Sequence, residues 1–247
     1  MKNPFKIFNK YDIALWVTSV VAIVLSFALS PSRDYLTLIS SITGVSALMY
    51  IAKGNVIGQF ITVVFAILYG VVSYYFSYYG EMITYLGMTA PAAIAAIISW
   101  LRHPYNNDHS QVAIGKLTKI KAIVILLLTG AVTTAFYFIL RELDTANLIV
   151  STVSVATSFV ASCLTFLRSP FYGLAYGAND IVLIIMWVLA CIADISYLPM
   201  VICFALFFIY DVYGFINWTR MRKNQHEKIA QQNENKIEPE TPKTDVE

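Results

Sequence analysis

Residues 55–78 read NVIGQFITVVFAILYGVVSYYFSY. The stretch is long enough to cross the hydrocarbon of a bilayer, which takes about 20 mostly apolar residues as a helix. Its polar members are ordered: Asn55, Gln59, Thr62, Tyr69 and Ser73 fall at spacings of 4, 3, 7 and 4. Those intervals keep residues on one face of a helix. A polar stripe on a lipid-embedded helix serves either a water-lined path or hydrogen bonds to neighbouring helices. Five members on one face favour the path.

Seven more apolar runs flank this one, giving spans near 13–30, 34–52, 55–78, 82–101, 121–140, 147–166, 170–191 and 196–217. Backbone groups in lipid must satisfy one another, so runs of this length default to helix. Barrel strands would be about ten residues long and alternate in polarity; no such pattern occurs. The composition agrees, with 58% apolar and 13% charged residues and a mean hydropathy of +0.65. Soluble domains are closer to half apolar and a quarter charged. The predicted fold is therefore all-α, a polytopic membrane protein of eight transmembrane helices. Lys2, Lys6 and Lys10 before the first run resemble a signal peptide. The run exceeds a signal core of about 7–15 residues and seven spans follow it, so it reads as a retained helix.

Of the 17 basic residues, only Arg33 and Arg141 fall on the outer side when the N-terminus is placed inside. That segregation predicts a multi-pass plasma-membrane protein with both ends in the cytoplasm, and seven or nine helices would break it. Residues 223–247 are rich in Gln, Asn, Glu, Lys and Pro and are expected to form a disordered cytoplasmic tail.

A weak internal repeat divides the remainder. Lys53-Gly54-Asn55 opens the third helix and Arg168-Ser169-Pro170 the seventh, and the following pairs end at Trp100-Leu101-Arg102 and Trp218-Thr219-Arg220. Two triplets, 34–101 and 147–218, are joined by a linker helix at 121–140, with residues 1–33 as an extra leading helix. One connecting helix makes the repeats parallel, a transporter plan that places the site at their interface.

Two carboxylates fall inside the spans, Asp180 in the seventh and Asp211 in the eighth. An ionisable group at mid-bilayer normally faces a cavity or a partner. The seventh helix adds Tyr172, Tyr176, Asn179 and Trp187, and the eighth adds Asn217, as candidate substrate-binding residues. Tyr69, Tyr176 and Trp187 lie too deep for an interfacial aromatic belt. Carboxylates, carboxamides and rings without a fixed cation suit a flat, polar, neutral or cationic molecule, held partly by cation–π contact. Anionic, phosphorylated ligands are disfavoured. Cys163, Cys191 and Cys203 lie in apolar runs, and His103, His109 and His226 lie outside the spans. No metal, cofactor, catalytic residue or nucleic-acid partner is expected, and a membrane-embedded enzyme is disfavoured.

Gly54-Asn55 with Gln59, Tyr79-Gly80-Glu81-Met82, Ser169-Pro170-Phe171-Tyr172 with Asn179-Asp180, and Asp211-x-Tyr213-Gly214-x-x-Asn217-Trp218 resemble the PnuC family of nicotinamide riboside transporters over residues 34–220. The resemblance implies a three-plus-one-plus-three core related to the SWEET sugar carriers. It also implies facilitated diffusion by alternating access, with substrate trapped through phosphorylation by a separate cytoplasmic riboside kinase. The family signature Trp-x-x-Trp-x-x-x-Asn/Asp is not kept. Registered on Asp180 its tryptophans become Gly173 and Tyr176; registered on Asn179 they become Tyr172 and Ala175. Thiamine, riboflavin and deoxynucleosides, carried by relatives, stay open as substrates, as does proton coupling through Asp180. An oligomer is neither required nor excluded.

Overall fold

The computed structural model describes residues 7–237 apart from Ser32, Ser77, Asn107 and Ala146. Among these residues, eight helices are long and apolar enough to span a membrane. They are α1 (Lys10–Leu29), α2 (Tyr35–Ala52), α3 (Ile57–Tyr75), α4 (Tyr79–Leu101), α5 (Lys119–Glu142), α6 (Leu148–Phe166), α7 (Tyr172–Ala193) and α8 (Leu198–Ile237). The fold is all-α and polytopic, with a two-stranded hairpin, β1 (Pro104–Tyr105) and β2 (Asp108–Val112), between α4 and α5.

Local chemistry starts the helices. Asn9 accepts from the Asp12 N–H (2.9 Å), and Asp12 accepts from the Asn9 N–H (2.7 Å), a reciprocal cap on α1. Asp34 accepts from the Leu36 N–H at the start of α2. Lipid then decides which faces turn outward. Phe60, Val64, Ile67 and Val71 form an exposed row along α3, on the side opposite the polar stripe. On α5, Ile120, Ile123, Leu126 and Leu127 are all exposed, because this helix packs on α6 alone among the substantial helix contacts.

The other core helices form a ring. α2 packs on α3 and α3 on α4; α6 packs on α7 and α7 on α8; the circle closes through α4 with α6 and α2 with α8. Exchanging α2, α3, α4 with α6, α7, α8 maps this pattern onto itself, as a two-fold axis along the membrane normal requires. α1 lies outside, against α2 and α8.

The symmetry extends to individual hydrogen bonds at a shift of 114 residues. Gly54 and Arg168 both take the left-handed backbone conformation, with φ of 68° and 57°. Gly54 N–H donates to Ile51 O and Arg168 N–H to Thr165 O; Asn55 N–H donates to Tyr50 O and Ser169 N–H to Leu164 O. The side chains of Asn55 and Ser169 then accept from the N–H two residues on, Ile57 and Phe171. Gly54, rather than Lys53, is thus the counterpart of Arg168. The tryptophans, 118 residues apart, bond acceptors that are 114 apart: Trp100 Nε1 donates to Thr165 O (3.0 Å) and Trp218 Nε1 to Ile51 O (2.8 Å), each crossing from one triplet to the other.

Three regions differ from the sequence reading. α4 begins at Tyr79, drawing Glu81 into the buried interior. The same helix carries a π-turn at Tyr85–Thr89 just before Pro91. Proline lacks an N–H and clashes with the preceding turn, and the wider π-turn accommodates it. Residues 223–237 continue α8 as helix instead of leaving it as a disordered tail. A helix already nucleated adds one bond per residue at little cost, and Lys223–Glu227 make an i,i+4 pair. Residues 238–247 lie outside the described residues.

That extension has a purpose in the packing. Gln225 accepts from the Ile114 N–H (2.9 Å) and donates to Val112 O (3.1 Å). The held segment reaches both equivalent turns through its backbone: Val112 N–H donates to Gly54 O and Gly115 N–H to Arg168 O, each at 2.9 Å. Gln225→Leu is expected to leave the Ile114 N–H and Val112 O unpartnered and to cost about 1–3 kcal/mol. Faster hydrogen exchange confined to residues 111–115 would verify this, and unchanged exchange would refute it.

Candidate functional site

A cavity lies inside the ring, lined by every one of its helices. α3 contributes Gln59, Thr62 and Phe65; α4 contributes Tyr85 and Thr89; α6 contributes Ser158 and Thr165; α7 contributes Tyr172, Tyr176, Asn179 and Asp180; α8 contributes Phe207 and Asp211. α2 supplies Gly44, Ala47, Leu48 and Ile51. The volume is about 60 Å³, against roughly 300–1,000 Å³ for open small-molecule sites. The arrangement is contracted.

Polar groups converge on this space. Asn179 Oδ1 accepts from Thr157 Oγ1 (2.8 Å) and Ser158 Oγ (2.9 Å) on α6. Those bonds fix the amide orientation. Tyr176 OH pairs with Ser162 Oγ at 3.3 Å. Gln59 is buried, and its Nε2 has no hydrogen-bond partner among the described residues. Asp180 and Asp211 are both buried and both line the cavity, and Asp180 Oδ2 has no hydrogen-bond partner among the described residues. No lysine or arginine is among the lining residues.

Aromatic side chains close both ends. Toward the far face, Tyr69 packs edge-on against Tyr85 with centroids 4.3 Å apart, and its hydroxyl accepts from Trp187 Nε1 (3.1 Å). Trp187 in turn packs against Tyr78 and Tyr197. Toward the basic face, Tyr172 packs on Trp218 at 4.7 Å, and Trp218 on Trp100 at 5.3 Å.

The sequence-predicted residues therefore divide by position. Gln59, Thr62, Tyr172, Tyr176, Asn179, Asp180 and Asp211 line the cavity. Tyr69 and Trp187 belong to the far-face aromatic cluster, and Ser73 is buried one turn beyond Tyr69. Asn55 shapes the turn before α3, and Asn217 donates to Ala52 O (2.6 Å), tying α8 to the end of α2. Ser158 and Thr165 were missed, although Ser151, Ser154, Ser158, Ser162 and Thr165 repeat at spacings of 3, 4, 4 and 3 and are all buried. Tyr85 and Thr89 had no comparable signal, since the π-turn changes which residues share a face.

On α7, a Cβ at Gly173 would stand 2.5 Å from the Asp211 carbonyl oxygen. A tryptophan has no room there, so the aromatic positions facing the cavity are Tyr172 and Tyr176.

A ring of two like triplets around a polar cavity is a transporter architecture. Residues 34–220 match the family model described as nicotinamide mononucleotide transporter, and the chain belongs to that family. Two relatives carry the name nicotinamide riboside transporter PnuC. The one from Neisseria mucosa is 25% identical over 215 residues, covering 85% of this chain and 81% of the relative. The one from Haemophilus influenzae is 21% identical over 214 residues, covering 86% and 91%. A crystal structure of the vitamin B3 transporter PnuC superposes with a TM-score of 0.77 at 22% identity, covering 88% of this chain and 94% of that one. The chain is a multi-pass membrane transporter of the PnuC family.

Proposed function

We propose that this protein carries nicotinamide riboside across the plasma membrane by facilitated diffusion. The observation that supports this reading most directly is the cavity chemistry. Two carboxyl groups, the amides of Gln59 and Asn179, and the rings of Tyr85, Tyr172 and Tyr176 surround a space with no lining cation. A flat pyridinium cation with ribose hydroxyls and a carboxamide fits those partners. A mononucleotide would bring its phosphate against two carboxyl groups, so the riboside is the form that suits the site. The relatives' names agree.

The ring supports alternating access as the mode of transport: the two triplets rock against each other around the cavity, opening one aromatic closure at a time. The basic face, with both termini, is cytoplasmic. Net uptake is drawn by phosphorylation of the riboside by a separate kinase. The protein itself transports and does not catalyse. Thiamine is the second reading, because it too is a flat cation and because neither register of the family signature keeps its tryptophans.

Calorimetric titration of the detergent-purified protein with the riboside, the mononucleotide and thiamine separates these readings. Heat with the riboside and none with the mononucleotide is expected; heat with thiamine alone would transfer the assignment to thiamine. Gln59→Ala removes one buried hydrogen-bonding group and should weaken riboside binding about tenfold or more at unchanged folded yield. Full-strength binding by this variant would remove Gln59 from the site.

A further inference from the structure

The first turn of α4 carries an ionisable group that the central cavity does not use. Glu81 is 1% exposed, and both of its carboxyl oxygens lack a hydrogen-bond partner among the described residues. The ion pairs among those residues, Lys53–Asp12 and Lys223–Glu227, leave it out. An ionisable side chain within a membrane normally faces a partner or a path, and a buried acceptor without a donor is costly. Its surroundings are aromatic. Tyr78 precedes Glu81 by three residues and Tyr85 follows it by four, which places all three on one face of the chain. The Met82 N–H donates to Tyr78 O and the Tyr85 N–H to Glu81 O, so helical turns connect them. Contacts then run through the far-face closure. Tyr85 packs on Tyr69 at 4.3 Å, Tyr69 is bonded to Trp187 at 3.1 Å, and Trp187 packs on Tyr78 at 4.8 Å. Four buried rings thus form a circuit that closes through the turn bearing Glu81. Ser73 adjoins it: its carbonyl accepts from the Tyr78 N–H at 2.8 Å, and its buried hydroxyl has no partner among the described residues. Tyr85 also lines the central cavity, so the two sites are neighbours.

We infer that Glu81 and the rings of Tyr69, Tyr78, Tyr85 and Trp187 form a second binding site, an outer station for organic monocations on their way to the central cavity. The inference rests on the transport reading and its orientation, which put this closure at the extracellular face. When the two triplets part on that face, the rings separate and the carboxylate meets the entering solution. One negative charge between low-dielectric walls concentrates cations at the mouth, and the ring faces hold a flat cation by cation–π attraction. The station therefore sorts by charge. Nicotinamide riboside and thiamine are drawn in, whereas riboflavin and deoxynucleosides, being neutral, gain nothing from it. No ion is exchanged there, so transport stays passive. Tyr69, Ser73 and Trp187, which stand outside the central cavity, thereby gain a place on the path.

Initial uptake rates in cells expressing the full-length chain test the station with three probes: nicotinamide riboside, its uncharged reduced form and thiamine. Glu81→Gln keeps the shape of the side chain and removes its charge. The KM for each transported cation should rise about tenfold at little change in maximal rate, while the KM for the reduced riboside stays where it was. Should this variant fail to reach the membrane, Glu81→Asp carries the test, since it keeps the charge on a shorter stem. A smaller rise in KM confined to the cations then supports the station. A raised KM for thiamine, with no riboside uptake by either protein, would sustain it while sinking the riboside assignment. Equal shifts for charged and uncharged probes in either variant, Glu81→Gln kinetics equal to those of the parent, or uptake of neither cation would overturn it.

Discussion

Lys53→Met is expected to destabilise the protein by roughly 3 kcal/mol, and Asp12→Asn in the same chain to restore most of that loss. Asp12 lies in the first turn of α1 and is 3% exposed. Lys53 Nζ stands 2.7 Å from Asp12 Oδ2 and donates to Tyr213 OH at 2.9 Å, while Tyr213 donates to Asp12 Oδ1. The three groups tie α1, the end of α2 and α8 together. Removing the ammonium strands a carboxylate in a buried setting, and that penalty exceeds the value of the pair itself. The figure is near the low end of its range because the Lys53 side chain keeps 14% exposure. Melting temperatures of the two variants in detergent give the measurement. A Lys53→Met protein as stable as the parent would show that Asp12 finds water instead.

Gly173→Ala should cost about 1–3 kcal/mol and weaken substrate binding as well. Its Cβ would meet two backbone atoms of α8, Asp211 O at 2.5 Å and Phe215 N at 2.9 Å. Neither can rotate away, so the two helices must separate at the level of Asp211. Gly177→Ala, one turn further, makes the control. There the new methyl meets only the Phe208 ring at 3.6 Å, ordinary contact, and alanine's helix propensity favours it by up to about 1 kcal/mol. Thermal melts with riboside titrations should therefore split the pair. Equal behaviour of both variants would refute the close α7–α8 approach.

The spans were legible because lipid leaves the backbone few choices, and an apolar run of sufficient length is a strong constraint. The start of α4 was less so: Glu81 reads as a loop residue by hydropathy, yet packing covers it completely. The repeat was legible to within one residue, since Lys53 and Arg168 share a charge whereas Gly54 and Arg168 share a backbone conformation. Within the site, depth was readable and direction only in part. Trp187 lies as deep as expected, but its indole turns to Tyr69. The buried serines of α6 are a weak signal because hydroxyls in apolar helices often bond their own preceding turn, as Thr165 does with Ala161 O. What brings Asp180 and Asp211 to one cavity is the packing of α7 on α8, which spacing along either helix does not encode.

The stretch from Val112 to Gly115 hydrogen-bonds Gly54 and Arg168 through its own main-chain atoms. Side-chain replacement there leaves both contacts available. What fixes the separation of the two triplets at this face is chain length, about 10 Å for three extended residues. The linker thus acts as a gauge block between the halves: they part on this side only by giving up a bond to one turn or the other.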